Sequence, residues 1–154
     1  MNISLTGTRY TEKKHDKEVY RTLSGFIKQF KPENMYFGGA RGIDTISLLI
    51  SKAIVTKLNF STKLIVVFPN TKHQAPMDAA HAAVTYADEI VELENEITKE
   101  NGYSSYRTRN EYLVDHCELL IGFPHKRHKV RSGTWMCINY AQKIGKEVVI
   151  HELD

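Results

Sequence analysis

Lys63-Leu-Ile-Val-Val-Phe-Pro69 is an almost unbroken apolar run. Closed by a proline and rich in β-branched residues, it reads as a strand, and a strand apolar at successive positions has to be buried on both faces. A sheet of parallel strands with helices above and below provides that burial. A second run, Cys117-Glu-Leu-Leu-Ile-Gly-Phe123, makes the same demand.

The rest of the chain supplies the other pieces. Residues 3–6 read as a short first strand ending in Gly7-Thr8-Arg9. Val19, Leu23, Phe26, Ile27 and Phe30 then recur on one face of a helix over residues 13–31, which Pro32 helps to stop. Residues 34–37 give a second strand, followed by Gly38-Gly39-Ala40-Arg41-Gly42 and by a helix over residues 44–57, with Ile43, Ile46, Leu49, Ile50 and Ile54 on its inner side. An alanine-rich helix is expected over 75–86, a short strand over 89–93, and a polar stretch over 94–106 with a turn at Asn101-Gly102. A helix over 107–116 with Tyr112 and Leu113 inward leads into the second apolar strand. A helix over 132–144, closed by Gly145, leads into a last strand over 147–151. This alternation specifies an α/β fold: a Rossmann-like, doubly wound, mainly parallel sheet with helices on both faces, in one domain spanning residues 1–154.

Composition narrows the function classes. An apolar fraction of 42% and a charged fraction of 25% are those of an ordinary globular protein, and no apolar run approaches the length of a membrane span. The N-terminus lacks the basic and apolar regions of a leader, so a cytoplasmic location with no membrane partner is expected. Cys117 and Cys137 lie in apolar runs without C-x-x-C spacing and read as buried free thiols. His125 and His128 lack a third ligand at metal spacing, so no metal is expected. The net charge is +3, but Lys126, Arg127, Lys129 and Arg131 crowd one loop, and the remaining chain carries a slight negative balance. So local a positive patch favours a small anionic ligand over a broad nucleic-acid footprint.

Ligands of such sheets bind beyond the carboxyl ends of the strands, where three turns converge. The first is Gly7, Thr8 and Arg9. The second holds Gly38, Gly39, Arg41, Gly42 and Asp44, where glycines permit close backbone approach and a helix start presents free N–H groups to an anion. The third ends in Ser132, Gly133 and Thr134. Arg109 and Asn110, just before the second apolar strand, add a cation and an amide able to donate and accept. Asp44 and Ser132 also stand where helix caps belong, and Glu111 and Asp115, one turn apart, are either an acid–base pair or an exposed face. Neither G-x-x-x-x-G-K-[ST] nor G-x-G-x-x-G is present, and no catalytic residue is assigned.

Gly7-Thr8-Arg9, Gly39-Ala40-Arg41-Gly42-Ile43-Asp44, Arg109-Asn110 and Ser132-Gly133-Thr134, in this order, resemble the SLOG superfamily. Within it Tyr86-Ala-Asp88, Arg109-Asn110, Tyr112-Leu-Val-Asp115 and Gly133-Thr134 are most similar to the YpsA/YspA-like branch, related to the DNA-processing protein A and Lonely Guy families. The resemblance spans nearly the whole chain. It implies a domain that binds or senses a nucleotide or nucleotide-derived ligand, with a homo-oligomer as the common state of relatives. The Lonely Guy branch implies nucleoside-phosphate glycosidic hydrolysis, with an arginine falling at Arg109, but its catalytic glutamate is replaced here by Cys137 and its proline-glycine-glycine is missing. The DNA-processing branch implies single-stranded DNA binding, for which Tyr103, Tyr106, Tyr112 and Trp135 would be the stacking platforms.

Overall fold

The computed structural model describes residues 1–94, 102–128 and 133–154. In chain order the elements are β1 (Asn2–Gly7), α1 (His15–Phe30), β2 (Asn34–Gly38), α2 (Ile43–Leu58), β3 (Lys63–Phe68), a 3₁₀ turn at Lys72–Gln74, α3 (Met77–Tyr86), β4 (Glu89–Glu92), α4 (Gly102–Asp115), β5 (Leu119–Phe123), α5 (Gly133–Lys143) and β6 (Glu147–Ile150). The six strands form one sheet in the order β4-β3-β2-β1-β5-β6, every pair parallel. The fold is therefore a Rossmann-like doubly wound sheet, as the apolar runs require.

Strand alternation explains how both faces are filled. Leu64, Val66 and Phe68 of β3, with Ile3, Leu5, Leu119, Ile121 and Phe123, pack with Val19, Leu23 and Ile27 of α1, Leu48 and Ile54 of α2 and Ala83 of α3 in one core. On the opposite face Ile65 and Val67 meet Tyr36 and Leu113 of α4, while Leu120 meets Cys137, Ile138 and Ala141 of α5. The edge strands β4 and β6 begin with the exposed Glu89 and Glu147, which blunts the sheet edges. Gly122 of β5 lets α5 come close: a Cβ there would lie 2.8 Å from Ile138 Cδ1.

The boundaries differ from the sequence reading in informative places. Helix α4 starts at Gly102, inside the stretch read as polar, because its facing side is set by packing on α5 and the sheet more than by its own apolar pattern. Helix α1 ends with Lys31 in the left-handed region at φ 44°, its N–H donating to Ile27 O, so the chain has already turned before Pro32. Asp44 is not the cap of α2. That position belongs to Gly42 at φ 75°, and Asp44 lies inside the first turn. Ser132, Lys129 and Arg131 fall outside the described residues. Both cysteines are free and buried, and among the described residues no helix is long and apolar enough to cross a membrane.

Candidate functional site

Strand β1 lies between β2 on one side and β5 on the other, so chain order reverses there and the loops leaving β1 and β5 part. That is the switch point at which open parallel sheets leave a crevice. A cavity of about 1010 Å³ occupies it, lined by Gly7, Thr8 and Arg9 after β1, Asp44 of α2, Arg109 and Asn110 of α4, and Gly133 and Thr134 of α5. Residues distant in sequence are thus brought to one cavity.

The first two turns are interlocked. Ile43 N–H, at the start of α2, donates to Thr8 O at 3.0 Å, and Thr8 N–H donates to Phe123 O at 3.0 Å. A Cβ on Gly42 would come 2.5 Å from Thr8 O and 2.6 Å from Arg9 O, so the contact between the turns needs glycine. One of the free donors of α2 is therefore already taken. The Thr8 hydroxyl accepts Tyr10 N–H at 3.0 Å, closing the first turn on itself.

Asp44 is buried, and its Oδ2 accepts Ala40 N–H at 3.3 Å. Burial pushes its carboxyl up to about 6, against the opposing pull of the Arg109 guanidinium, the Ala40 N–H and Arg9. Gly38 makes room for this group, since a Cβ there would overlap the Asp44 carboxylate and lie 3.0 Å from Arg109 Nη1. Arg109 is itself buried. Its Nε–H donates to Asn110 Oδ1 at 3.1 Å, and the Asn110 amide in turn donates to Gly133 O at 3.3 Å, tying α4 to the start of α5.

Tyr106 carries the guanidiniums of both Arg9, at 5.2 Å, and Arg109, at 5.9 Å, over its ring. Among the described residues no carboxylate comes within ion-pairing distance of either arginine. Arg41 behaves differently. It is exposed, its Nε lies 3.6 Å from Asp78 Oδ1, and it lines a smaller adjoining cavity of about 390 Å³ together with Gly39. Gly42 lines neither cavity.

Cys137 is fully buried beneath Asn110 O, and burial pushes its thiol up to about 12. It does not line the cavity. Glu111 does not line it either, and Asp115 is engaged by Tyr140 OH at 2.9 Å. Among the described residues Asp44 is the carboxylate that does. Among the described residues no group of three or more His, Cys, Asp or Glu side chains is arranged to hold a metal.

The sequence reading named Tyr106 only as a stacking platform for single-stranded DNA; it lies one helical turn before Arg109, so the i, i+3 relation could have paired the two. Other lining residues escaped that reading. Tyr10 and His128 stack at 4.0 Å beside the first turn, a contact between the loops leaving β1 and β5 that no local pattern encodes. Asn139, on the cavity side of α5, carried no local signal. No protein-family model matches the chain, and no curated protein is significantly similar to it.

Proposed function

We propose that the chain binds or senses a nucleotide or nucleotide-derived anion at the carboxyl ends of its parallel strands, as a domain of the SLOG type. The observation that carries this reading is the pair Arg9 and Arg109 over one Tyr106 ring at the switch-point cavity, two cations without a carboxylate ion pair among the described residues. Such a pair suits phosphate, and the adjoining Thr8, Thr134, Asn110 and Asp44 suit the hydroxyls of a sugar. A homo-oligomeric, cytoplasmic protein is the setting this reading carries with it.

A second reading is glycosidic cleavage of a nucleotide. It rests on Asp44, a buried carboxyl whose affinity for protons is raised into the range useful to a general acid, lining the cavity beside Arg109. Single-stranded DNA binding is a weaker third, since a cavity admits one residue of a strand more readily than a run of them.

A thermal-shift panel of mononucleotides, dinucleotides and a short oligonucleotide, with mass spectrometry of each mixture, separates these readings. A nucleotide at a hundredfold excess over its Kd adds about 2.7 kcal/mol, a rise of about 5–11 °C for a chain of this size. A shift with intact nucleotide supports binding, and released base supports the enzyme. Silence from every compound removes the proposal.

A further inference from the structure

Helix α2 is apolar on nearly every side. It packs Ile43, Leu48, Ile54 and Val55 into the core and buries the small Ser47 and Ser51 beside them, while Ile46, Leu49 and Ile50, read from the sequence as inward, line an outer groove between α1 and α2. A helix apolar all round is normally enclosed. Here one side is open: Leu49 is 39% exposed, and Tyr20, which lines the groove from α1, is 44% exposed. The groove holds about 730 Å³ and shares no lining residue with the two cavities at the strand ends. An apolar floor open to the surface marks a contact with another molecule.

The charges of the rim select the occupant. Helix α1 contributes Lys17 and Arg21, one turn apart, and among the described residues neither has a carboxylate within ion-pairing distance. The acidic lining residue, Asp16, stands in the first turn of α1, where it answers the positive end of the helix dipole. The lining therefore carries two cations against one carboxylate. A second copy of the chain would set like charges against each other, whereas an acidic partner satisfies both cations. Shape agrees with a helical occupant. From Asp16 to Ser24 the α1 wall is about 12 Å long, just over two helical turns. Gly25, one turn beyond Arg21, is exposed with nothing within 4 Å of a built Cβ, which leaves bare backbone for a crossing helix to approach.

We infer that the groove between α1 and α2 is the docking site for an amphipathic helix of another protein, with its apolar side on Ile46, Leu49 and Ile50 and acidic side chains one turn apart against Lys17 and Arg21.

Fluorescence anisotropy of the full chain with a labelled synthetic helix, bearing leucine at i, i+3, i+4 and i+7 and glutamate on the flanking positions, tests this. The same helix with lysine for glutamate, and a scrambled version, are the comparisons. The glutamate helix is expected to bind roughly 10-fold more tightly than either. The double exchange Lys17→Glu and Arg21→Glu, at exposed positions, turns the preference to the lysine helix, and Leu49→Asp abolishes binding of both, with circular dichroism unchanged in each variant. Affinity for the glutamate helix that survives the double exchange, or no preference over the scrambled helix, overturns the assignment. Sedimentation velocity reads the competing occupant: a wild-type dimer that Leu49→Asp separates into monomers places a second copy on the groove and overturns it as well.

Discussion

The Thr8 carbonyl oxygen accepts the Ile43 N–H at 3.0 Å, and through this bond the turn after β1 is fixed to the first residue of α2. Gly42, immediately before Ile43, passes between them at φ 75°, and the space a Cβ would take there is filled by the Thr8 and Arg9 carbonyls. The position of Arg9 in the cavity therefore depends on a glycine in another loop.

Gly42→Ala is expected to destabilise the chain by about 2–5 kcal/mol, from left-handed strain and from the clash of Cβ with backbone oxygens that cannot move aside. Gly145→Ala is the control. It has φ 81° but nothing within 4 Å of a built Cβ, so it carries the conformational cost alone, about 1 kcal/mol. Urea denaturation of both variants checks the difference, and equal losses would show that the turn contact contributes nothing.

The buried Asp44 gives the stability a pH dependence of definite sign. Its carboxyl, raised to about 6 from 3.8, is harder to ionise in the folded chain than in the unfolded one. Its contribution is fully present below pH 4 and is lost as pH rises through 6, a loss of about 3 kcal/mol. Asp44→Asn removes that loss and keeps an oxygen for Ala40 N–H. Compared by urea titration at pH 4 and pH 7.5, the variant should gain on the wild type as pH rises. A constant difference between the two proteins would contradict the burial argument.

How much of this was legible in the sequence follows from the range of each interaction. A mainly parallel sheet could be read because Leu64–Phe68 and Leu119–Phe123 are apolar on both alternations, a local signature of burial on two faces; that every pair is parallel came from the structure. The helix starts after β2 and before β6 could be read from glycines and periodicity. That Gly7, Thr8 and Arg9 approach Gly42 follows from topology once the strand order is fixed. The meeting of Asp44 with Arg109 does not, because it depends on how far α4 slides along the sheet, which is decided by side-chain packing on α5. The sequence reading placed Arg41 beside a ligand on its glycine neighbours, but its distance from Asp78 is set by how α3 docks on α2.

The thiols should be silent. Cys137 is fully buried with its thiol pushed up to about 12, and burial also raises Cys117. Since the thiolate is the reactive form, iodoacetamide at pH 8 is expected to leave both unmodified in the folded chain and to label both in urea. Mass spectrometry reads the outcome, and labelling of folded Cys137 would reopen it as a nucleophile.

The three arginines at the strand ends should separate in binding. Arg109 is buried, linked to Asn110 and placed over Tyr106, so Arg109→Met removes a desolvated cation and should weaken a bound nucleotide by about 1.5–3 kcal/mol, a 10- to 150-fold rise in Kd. Arg9 is exposed but shares the Tyr106 ring, so Arg9→Met should cost less, with an effect that fades as salt rises. Arg41 is exposed and opposite Asp78, an arrangement worth about 0–1 kcal/mol on its own, and Arg41→Met should change nucleotide affinity least. Titration of the three variants at two salt concentrations checks the order. If Arg41→Met proves the most damaging, the phosphate lies on the glycine turn and not on the Tyr106 wall.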